Sequence, residues 1–297
     1  MSPFYDDPAP NELPDGRLVC RPHNLEVCGI CCVDFTFMRD ELDEVERYMY
    51  DEYNDGSEGE ISPSGVMSAD SFEKLLGDME FEKRRGTGRV FPSKFTPPSP
   101  TSTPTTLFRE SADPIRTRFV HQSDHSKCLV FIDGACINNG KPNPQAGWAL
   151  VFGPEPDART STGRLELKGP FGEPCEQTSN RAELRAVIEA LRAWDWAADG
   201  FRTIIIATDS EYAVKGATEW VRNWVRNGWK TSSRKPVQNR DLWEMLLGEA
   251  ERYDEDGLKI ELWWIPRSAN EIADRAAKKA AEGEDVAEFT NKLILGV

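Results

Sequence analysis

The C-terminal half of the sequence predicts a mixed α/β sheet, and three observations predict it. Short β-branched or apolar runs bounded by turn residues read as buried strands. Longer stretches carry apolar residues at helical spacing. Over residues 127–283 the two kinds alternate in the order β-β-β-α-β-α-α-β-α. Cys128–Asp133 (CLVFID) is the first strand, and Ala146–Gly153 follows a Gly/Pro/Asn loop as the second. Arg164–Lys168 is expected as the third. Asn180–Trp196 is helical, with Leu184, Val187, Ile188 and Leu191 on one stripe. Thr203–Thr208 (TIIIAT) is a β-branched strand. Ser210–Asn227 and Arg240–Tyr253 are helices, Leu258–Ile265 is a strand, and Asn270–Glu282 is an Ala-rich closing helix.

The N-terminal part has a different texture. Residues 1–16 are acidic and Pro-rich, a composition that predicts no fixed structure. Residues 17–83 form a second region. Within it, 34–53 reads as an acidic helix with Phe35, Met38, Leu42, Val45 and Met49 on one stripe, and 68–82 as a short second helix. Residues 84–126 contain PSKFTPPSPTSTPTT, a linker composition without helical or strand period. Residues 284–297 are expected as a C-terminal tail.

No run of 18 apolar residues exists, which excludes a membrane-spanning helix and a membrane partner of that kind. Met1–Asp15 lacks a secretory apolar region and is too acidic for a transit peptide. The expectation is an intracellular protein, nuclear or cytoplasmic and not secreted. Its seven cysteines are then thiols or metal ligands. The formal net charge of −15 by itself argues against nucleic acid, but its distribution does not. Residues 1–60 carry a balance of −12, whereas 215–240 carries +6. Binding responds to the local field.

Four carboxylates stand where an open α/β sheet builds its sites. Asp133 ends the first strand and Asp209 follows TIIIAT; Glu183 lies in the first turn of one helix and Asp274 one turn into the last. The plainer reading makes each a turn residue or a helix-dipole partner. Brought together, they would repel unless cations neutralise them. Hard oxygen ligands without His or Cys point to Mg²⁺ or Mn²⁺. Two such ions about 4 Å apart suit phosphodiester cleavage.

The surrounding motifs carry a resemblance. FIDGACINNG, QTSNRAEL, IATDSEYAVKG, the basic TEWVRNWVRNGWKTSSRKPVQNRDLW and NEIADRAAKKAA occur in order over about 127–283. They resemble the catalytic strands, helix starts and basic protrusion of type 1 ribonuclease H. The resemblance implies a ribonuclease H-like fold: a five-stranded mixed sheet, three antiparallel strands first, with helices on both faces. It implies endonucleolytic cleavage of the RNA strand of an RNA–DNA hybrid, with a monomer as the expected state. It also implies Asp133, Glu183, Asp209 and Asp274 as catalytic and metal-binding set for two Mg²⁺ or Mn²⁺ ions. Asp133 would bridge both ions, Glu183 and Asp209 would complete one site, and Asp274 the other. The alternative is a ribonuclease H scaffold with weak or no cleavage, which binds hybrids and recruits partners through its N-terminal region.

Substrate contacts follow from the same resemblance. Asn139, Ser179 and Asn180 match residues that read RNA 2′-hydroxyls. Thr178 and Asn239 match a pocket for a DNA-strand phosphate, whose basic member is replaced by Glu176; Arg181 or Lys235 would then serve it. In the protrusion, Trp220, Trp229 and Lys230 interleave aromatic rings and cations near substrate, with Trp224 as packing. The family's His-bearing loop before the last helix is missing. Only Arg267, Ser268 and Ala269 separate Pro266 from Asn270, and the three histidines are His23, His121 and His125. Arg267 is expected to contact phosphate or to act structurally. The family's N-terminal hybrid-binding module is not resembled by residues 1–126, for which a protein partner is the expectation. Cys20, His23, Cys28 and Cys31 form C-x₂-H-x₄-C-x₂-C, a spacing that would close a structural Zn²⁺ site, against a plainer reading as buried thiols.

Overall fold

Eight strands line up because the long first strand of the 127–283 region offers pairing edges on both sides. The computed structural model describes residues 11–12, 18–19, 27–28, 33–34, 83–111, 118–153 and 159–291. Two small antiparallel pairs come first: β1 (Asn11–Glu12) with β2 (Leu18–Val19), and β3 (Val27–Cys28) with β4 (Val33–Asp34). The expected helices at 34–53 and 68–82 lie outside the described residues, as do Cys20, His23, Cys31 and the side chain of Cys28. No helix among the described residues is long and apolar enough to cross a membrane.

The main sheet contains β5 (Ser93–Lys94), β6 (Phe108–Glu110), β7 (Phe119–His121), β8 (Lys127–Ile137), β9 (Gln145–Val151), β10 (Thr160–Arg164), β11 (Thr203–Thr208) and β12 (Lys259–Trp264). Its main path runs β10-β9-β8-β11-β12-β5. β8, β9 and β10 are antiparallel, whereas β11 is parallel to both β8 and β12. One edge of β8 is shared: β9 pairs with its second half from Phe131 onward, and β7 takes Cys128 and Leu129.

Helices cover both faces. Between β5 and β6 lies the single turn α1 (Pro104–Leu107). On one face, α2 (Ser179–Arg192) and α5 (Arg240–Glu255) enclose Cys128, Val130, Ile132, Ile204, Ile206 and Leu262. On the other, α6 (Glu271–Ala281) packs Ala277 against Ala135 and Ala149. A Cβ at Gly147 would lie 2.3 Å from the Ala281 nitrogen, so this glycine admits the α6 backbone.

Several expectations are corrected. Among the described residues the sheet has eight strands, because the described parts of 84–126 are not a linker without structure: they supply β5, β6, β7 and α1. Phe95 and Phe108 sit with Trp263 in an aromatic cluster, at 4.8 and 6.4 Å between ring centres, and this burial outweighs the Pro-rich local composition. The third strand is Thr160–Arg164, upstream of the expected Arg164–Lys168. Ser210–Asn227 is helical as expected, but a π segment at Gly216–Trp220 lies between α3 (Glu211–Lys215) and α4 (Val221–Arg226). The Trp243 indole lies 2.2 Å from where a Gly216 Cβ would stand, so the backbone there is pressed against that ring. The expected tail packs as well: Phe289 is buried and Arg185 donates to the Thr290 carbonyl.

Candidate active site

Asp133 lies on β8 on the same side as Leu129 and Ala135, hence on the α6 face. Gly134 brings the opposite helix within reach. A Cβ there would lie 2.1 Å from the Glu183 nitrogen, so only glycine lets α2 settle this close. Thr178 caps α2 by accepting from the Arg181 amide, and the helix starts at Ser179. Glu183 is therefore one turn in, rather than in the first turn. Its carboxylate accepts the Gly134 amide and, at a long 3.4 Å, the Thr208 hydroxyl. Asp209 follows β11 directly, and its carbonyl accepts the Trp264 indole N–H at 3.2 Å. Asp274 lies in the first turn of α6.

All four carboxylates share one site. Burial pushes the Asp133 carboxyl well above its ordinary value, and the charges of Asp209 and Asp274 add to the rise. Burial likewise raises Glu183, followed by the charges of Asp133 and Asp209. Arg267 opposes both effects. Asp274 goes the other way: burial would raise it, but hydrogen bonds from Arg267 and Lys278 bring it below the usual range. Arg267 Nη2 stands 2.7 Å from Asp274 Oδ1, and Lys278 Nζ 2.9 Å from Oδ2. Among the described residues no three His, Cys, Asp or Glu side chains already form a closed metal-ligand group. Asp274 is instead turned onto its two cations.

Asn270 is the residue the motif reading left without a role. Its side-chain amide donates to the Ile132 carbonyl at 2.9 Å and to Asp209 Oδ1 at 2.7 Å, tying β8 to the end of β11. Its own Oδ1 is buried and has no hydrogen-bond partner. The signal was present in the sequence as the Asn beginning NEIAD, but only the fold shows what it grips.

The donor set fits hard divalent cations. It offers carboxylate oxygens, a buried excess of negative charge and one orphaned amide oxygen, with no soft ligand. His121 and His125 stand in β7 and in the turn before β8, at the opposite end of β8 from the site.

The expected substrate residues divide into three groups. Asn139 and Ser179 are buried and paired: Asn139 Nδ2 donates to Ser179 Oγ at 3.1 Å, beside buried Asn180 at the start of α2. Thr178, Asn180, Arg181 and Asn239 line a cavity of about 650 Å³. Arg181 donates there to Asn239 at 3.3 Å but is held by Asp241 at 2.9 and 2.5 Å. Arg85 also lines this cavity, stacked 3.8 Å over Phe171, and sequence reading missed it because it precedes the recognisable motifs. Lys235 is not among the lining residues. Trp220, Trp224 and Trp229 are all partly buried against the core, with Arg240 over the Trp229 ring at 5.4 Å, while Lys230 is exposed. Arg267 faces Asp274, so its observed role is a counter-charge.

The RNase H family model matches residues 125–282. Ribonuclease H of Treponema pallidum subsp. pallidum is 37% identical over 166 residues, covering 53% of this chain and 92% of that protein. Ribonuclease H of Chromohalobacter salexigens is 39% identical over 163 residues, covering 54% of this chain and 87% of that protein. Ribonuclease H of Thermosynechococcus vestitus is 38% identical over 165 residues, covering 53% of this chain and 91% of that protein. Carboxylates gathered on a mixed α/β sheet, together with these likenesses, define a hydrolase of the nuclease class. The chain belongs to the RNase H family.

Proposed function

We propose that this chain is an endonuclease that hydrolyses the RNA strand of RNA–DNA hybrids with two divalent ions, Mg²⁺ or Mn²⁺. The observation that supports this most is the meeting of Asp133, Glu183, Asp209 and Asp274 from β8, α2, β11 and α6 in one site. Asp133 would hold both ions, Glu183 and Asp209 one of them, and Asp274 the other. Bound there, the ions would activate water and stabilise the leaving oxygen. The chain's own residues do the rest. Asn270 fixes Asp209 against β8, and Gly134 sets Glu183 beside Asp133. Asn139, Ser179 and Asn180 present amide and hydroxyl groups beside Glu183, a chemistry suited to ribose 2′-hydroxyls. Thr178, Arg181, Asn239 and Arg85 suit a phosphate of the DNA strand.

The test is incubation with labelled RNA–DNA hybrid, double-stranded RNA and double-stranded DNA in Mg²⁺, alongside Asp133→Asn. Cleavage confined to the hybrid and lost in the variant is expected. Tight hybrid binding without cleavage would overturn the reading in favour of a binding protein.

A further inference from the structure

Beside the carboxylates lies a groove of about 500 Å³ that the matched region 125–282 does not build alone. One wall is the segment 94–104, including Lys94, Pro97 and Pro100; the other comes from α3 and the end of β12, with Lys215, Trp264 and Pro266. Phe95 holds the first wall in place: it is buried, packs against Trp263 with ring centres 4.8 Å apart and the rings tilted by 49°, and its amide donates to the Leu262 carbonyl at 2.8 Å. The groove is therefore a consequence of β5 adding to the β12 edge.

Trp264 presents an exposed ring to this groove. Among the described residues it and Leu167 are the exposed large apolar side chains, and Trp264 keeps 36% of its surface open. It is not free to turn, because its indole N–H is fixed on the Asp209 carbonyl at 3.2 Å. That bond couples the ring directly to a residue of the acidic site. Around it stand proline rings and two ammonium groups, with Lys94 exposed and Lys215 partly engaged by Glu211 at 2.7 Å. A fixed aromatic face flanked by cations is the chemistry of a base-stacking platform with phosphate contacts. A purely apolar partner would leave the exposed Lys94 charge unmatched, Lys215 being paired with Glu211.

We propose that this groove binds an unpaired nucleotide strand continuing from the hybrid, with a base stacked on Trp264 and its phosphates near Lys94 and Lys215. This rests on the hybrid-cleaving reading and extends it: the chain would favour hybrids that end in, or are interrupted by, single-stranded RNA or DNA. The 94–104 wall makes that preference a property of this chain's own extension.

The test uses full-length Asp133→Asn protein in Mg²⁺, so that substrate survives. Affinities are measured by fluorescence anisotropy for a short blunt hybrid and for the same hybrid carrying a single-stranded RNA or DNA extension at each end in turn. At least one extension should tighten binding about fivefold or more, the scale of one stacked base. Adding Trp264→Ala should reduce that gain to less than about twofold, Trp264→Phe should keep most of it, and Lys94→Glu should weaken it. Circular dichroism melts establish that each variant is folded. If no extension tightens binding, or if the gain survives Trp264→Ala, the proposal is overturned. Failure of the native protein to cleave the blunt hybrid would instead sink the underlying reading, because the extended-to-blunt ratio does not depend on cleavage.

Discussion

Replacing Arg267 should make the protein bind Mg²⁺ more tightly. Arg267 Nη2 lies 2.7 Å from Asp274 Oδ1, and its Nε 3.9 Å from Asp209 Oδ2. A hydrogen bond to a charged group contributes about 1.5–3 kcal/mol. The Arg267 side chain is 29% exposed and that of Asp274 14%, so water screens the pair. Screening reduces the contribution to about 1–2 kcal/mol. A divalent ion recruiting Asp274 must displace that guanidinium, and Arg267→Ala removes this cost. At 1.4 kcal/mol per factor of ten, Mg²⁺ affinity should rise about 5- to 30-fold. Isothermal titration of Mg²⁺, or of Mn²⁺ where the heat is small, into protein free of nucleic acid measures it without interference from any phosphate contact. A thermal melt adds a second reading, in which the variant gains more stability from saturating metal than the native chain. Lys278, 2.9 Å from Asp274, is common to both proteins and does not affect the comparison. Unchanged or weaker metal binding by the variant would show that Arg267 does not compete for Asp274.

Three further outcomes follow from the same geometry. Asp133→Asn should lower cleavage by about a thousandfold or more, since the residue placed to hold both ions is lost. It should also raise the metal-free melting temperature by a few degrees. Burial and the neighbouring Asp209 and Asp274 raise the Asp133 carboxyl above its ordinary 3.8, so ionising it costs stability as pH rises past that value. The gain from Asn should therefore appear at neutral pH and shrink near pH 4, and a variant less stable than the native protein in EDTA at pH 7 would contradict this. Glu251 behaves oppositely: burial would raise it, but the Thr87 hydroxyl and the amides of Arg89, Thr87 and Gly88 bring it below 4.5. Its stabilisation is present at neutral pH and fades as the carboxylate protonates in acid. Glu251→Ala leaves those donors unpaired and should cost about 2–4 kcal/mol at pH 7, with a smaller gap to the native protein below about pH 4, measured by chemical denaturation. Gly134→Ala would put a methyl carbon 2.1 Å from the Glu183 nitrogen, so it should cost about 3 kcal/mol or more and impair cleavage together with stability. Calorimetry showing an unchanged melting temperature would mean that α2 does not rest on β8 at that point.

The strands and helices of 127–283 were legible because their apolar residues follow periods of 2 and 3.6, set by burial on one face. β8, β11, α2 and α6 therefore appear close to the expected positions, with Asp209 directly after β11 and Asp274 in the first turn of α6, whereas Asp133 lies inside β8, which runs on to Ile137, and Glu183 lies one turn into α2. The third strand was misplaced because Thr160–Arg164 is polar, and its place comes from pairing with β9 rather than from its own side chains. The strands within 84–126 leave no local pattern for a related reason. Ser93–Lys94 has no pattern of its own and becomes a strand because the β12 edge offers hydrogen bonds and Phe95 a buried aromatic pocket. Cys20, His23 and Cys31 lie outside the described residues.

The sequence by itself determined the kind of sheet, because periodicity is a local property, and its ordered motifs singled out Asp133, Glu183, Asp209 and Asp274 as candidates through their resemblance to the family. Tertiary structure alone decided that Arg267 faces Asp274, that Asn270 ties Asp209 to β8, that Arg85 joins Arg181, and that a groove opens beside Trp264. Each of these depends on which chain segments pack together across long separations. Such contacts are set by the free energy of the whole fold, and no pattern within a single segment encodes them.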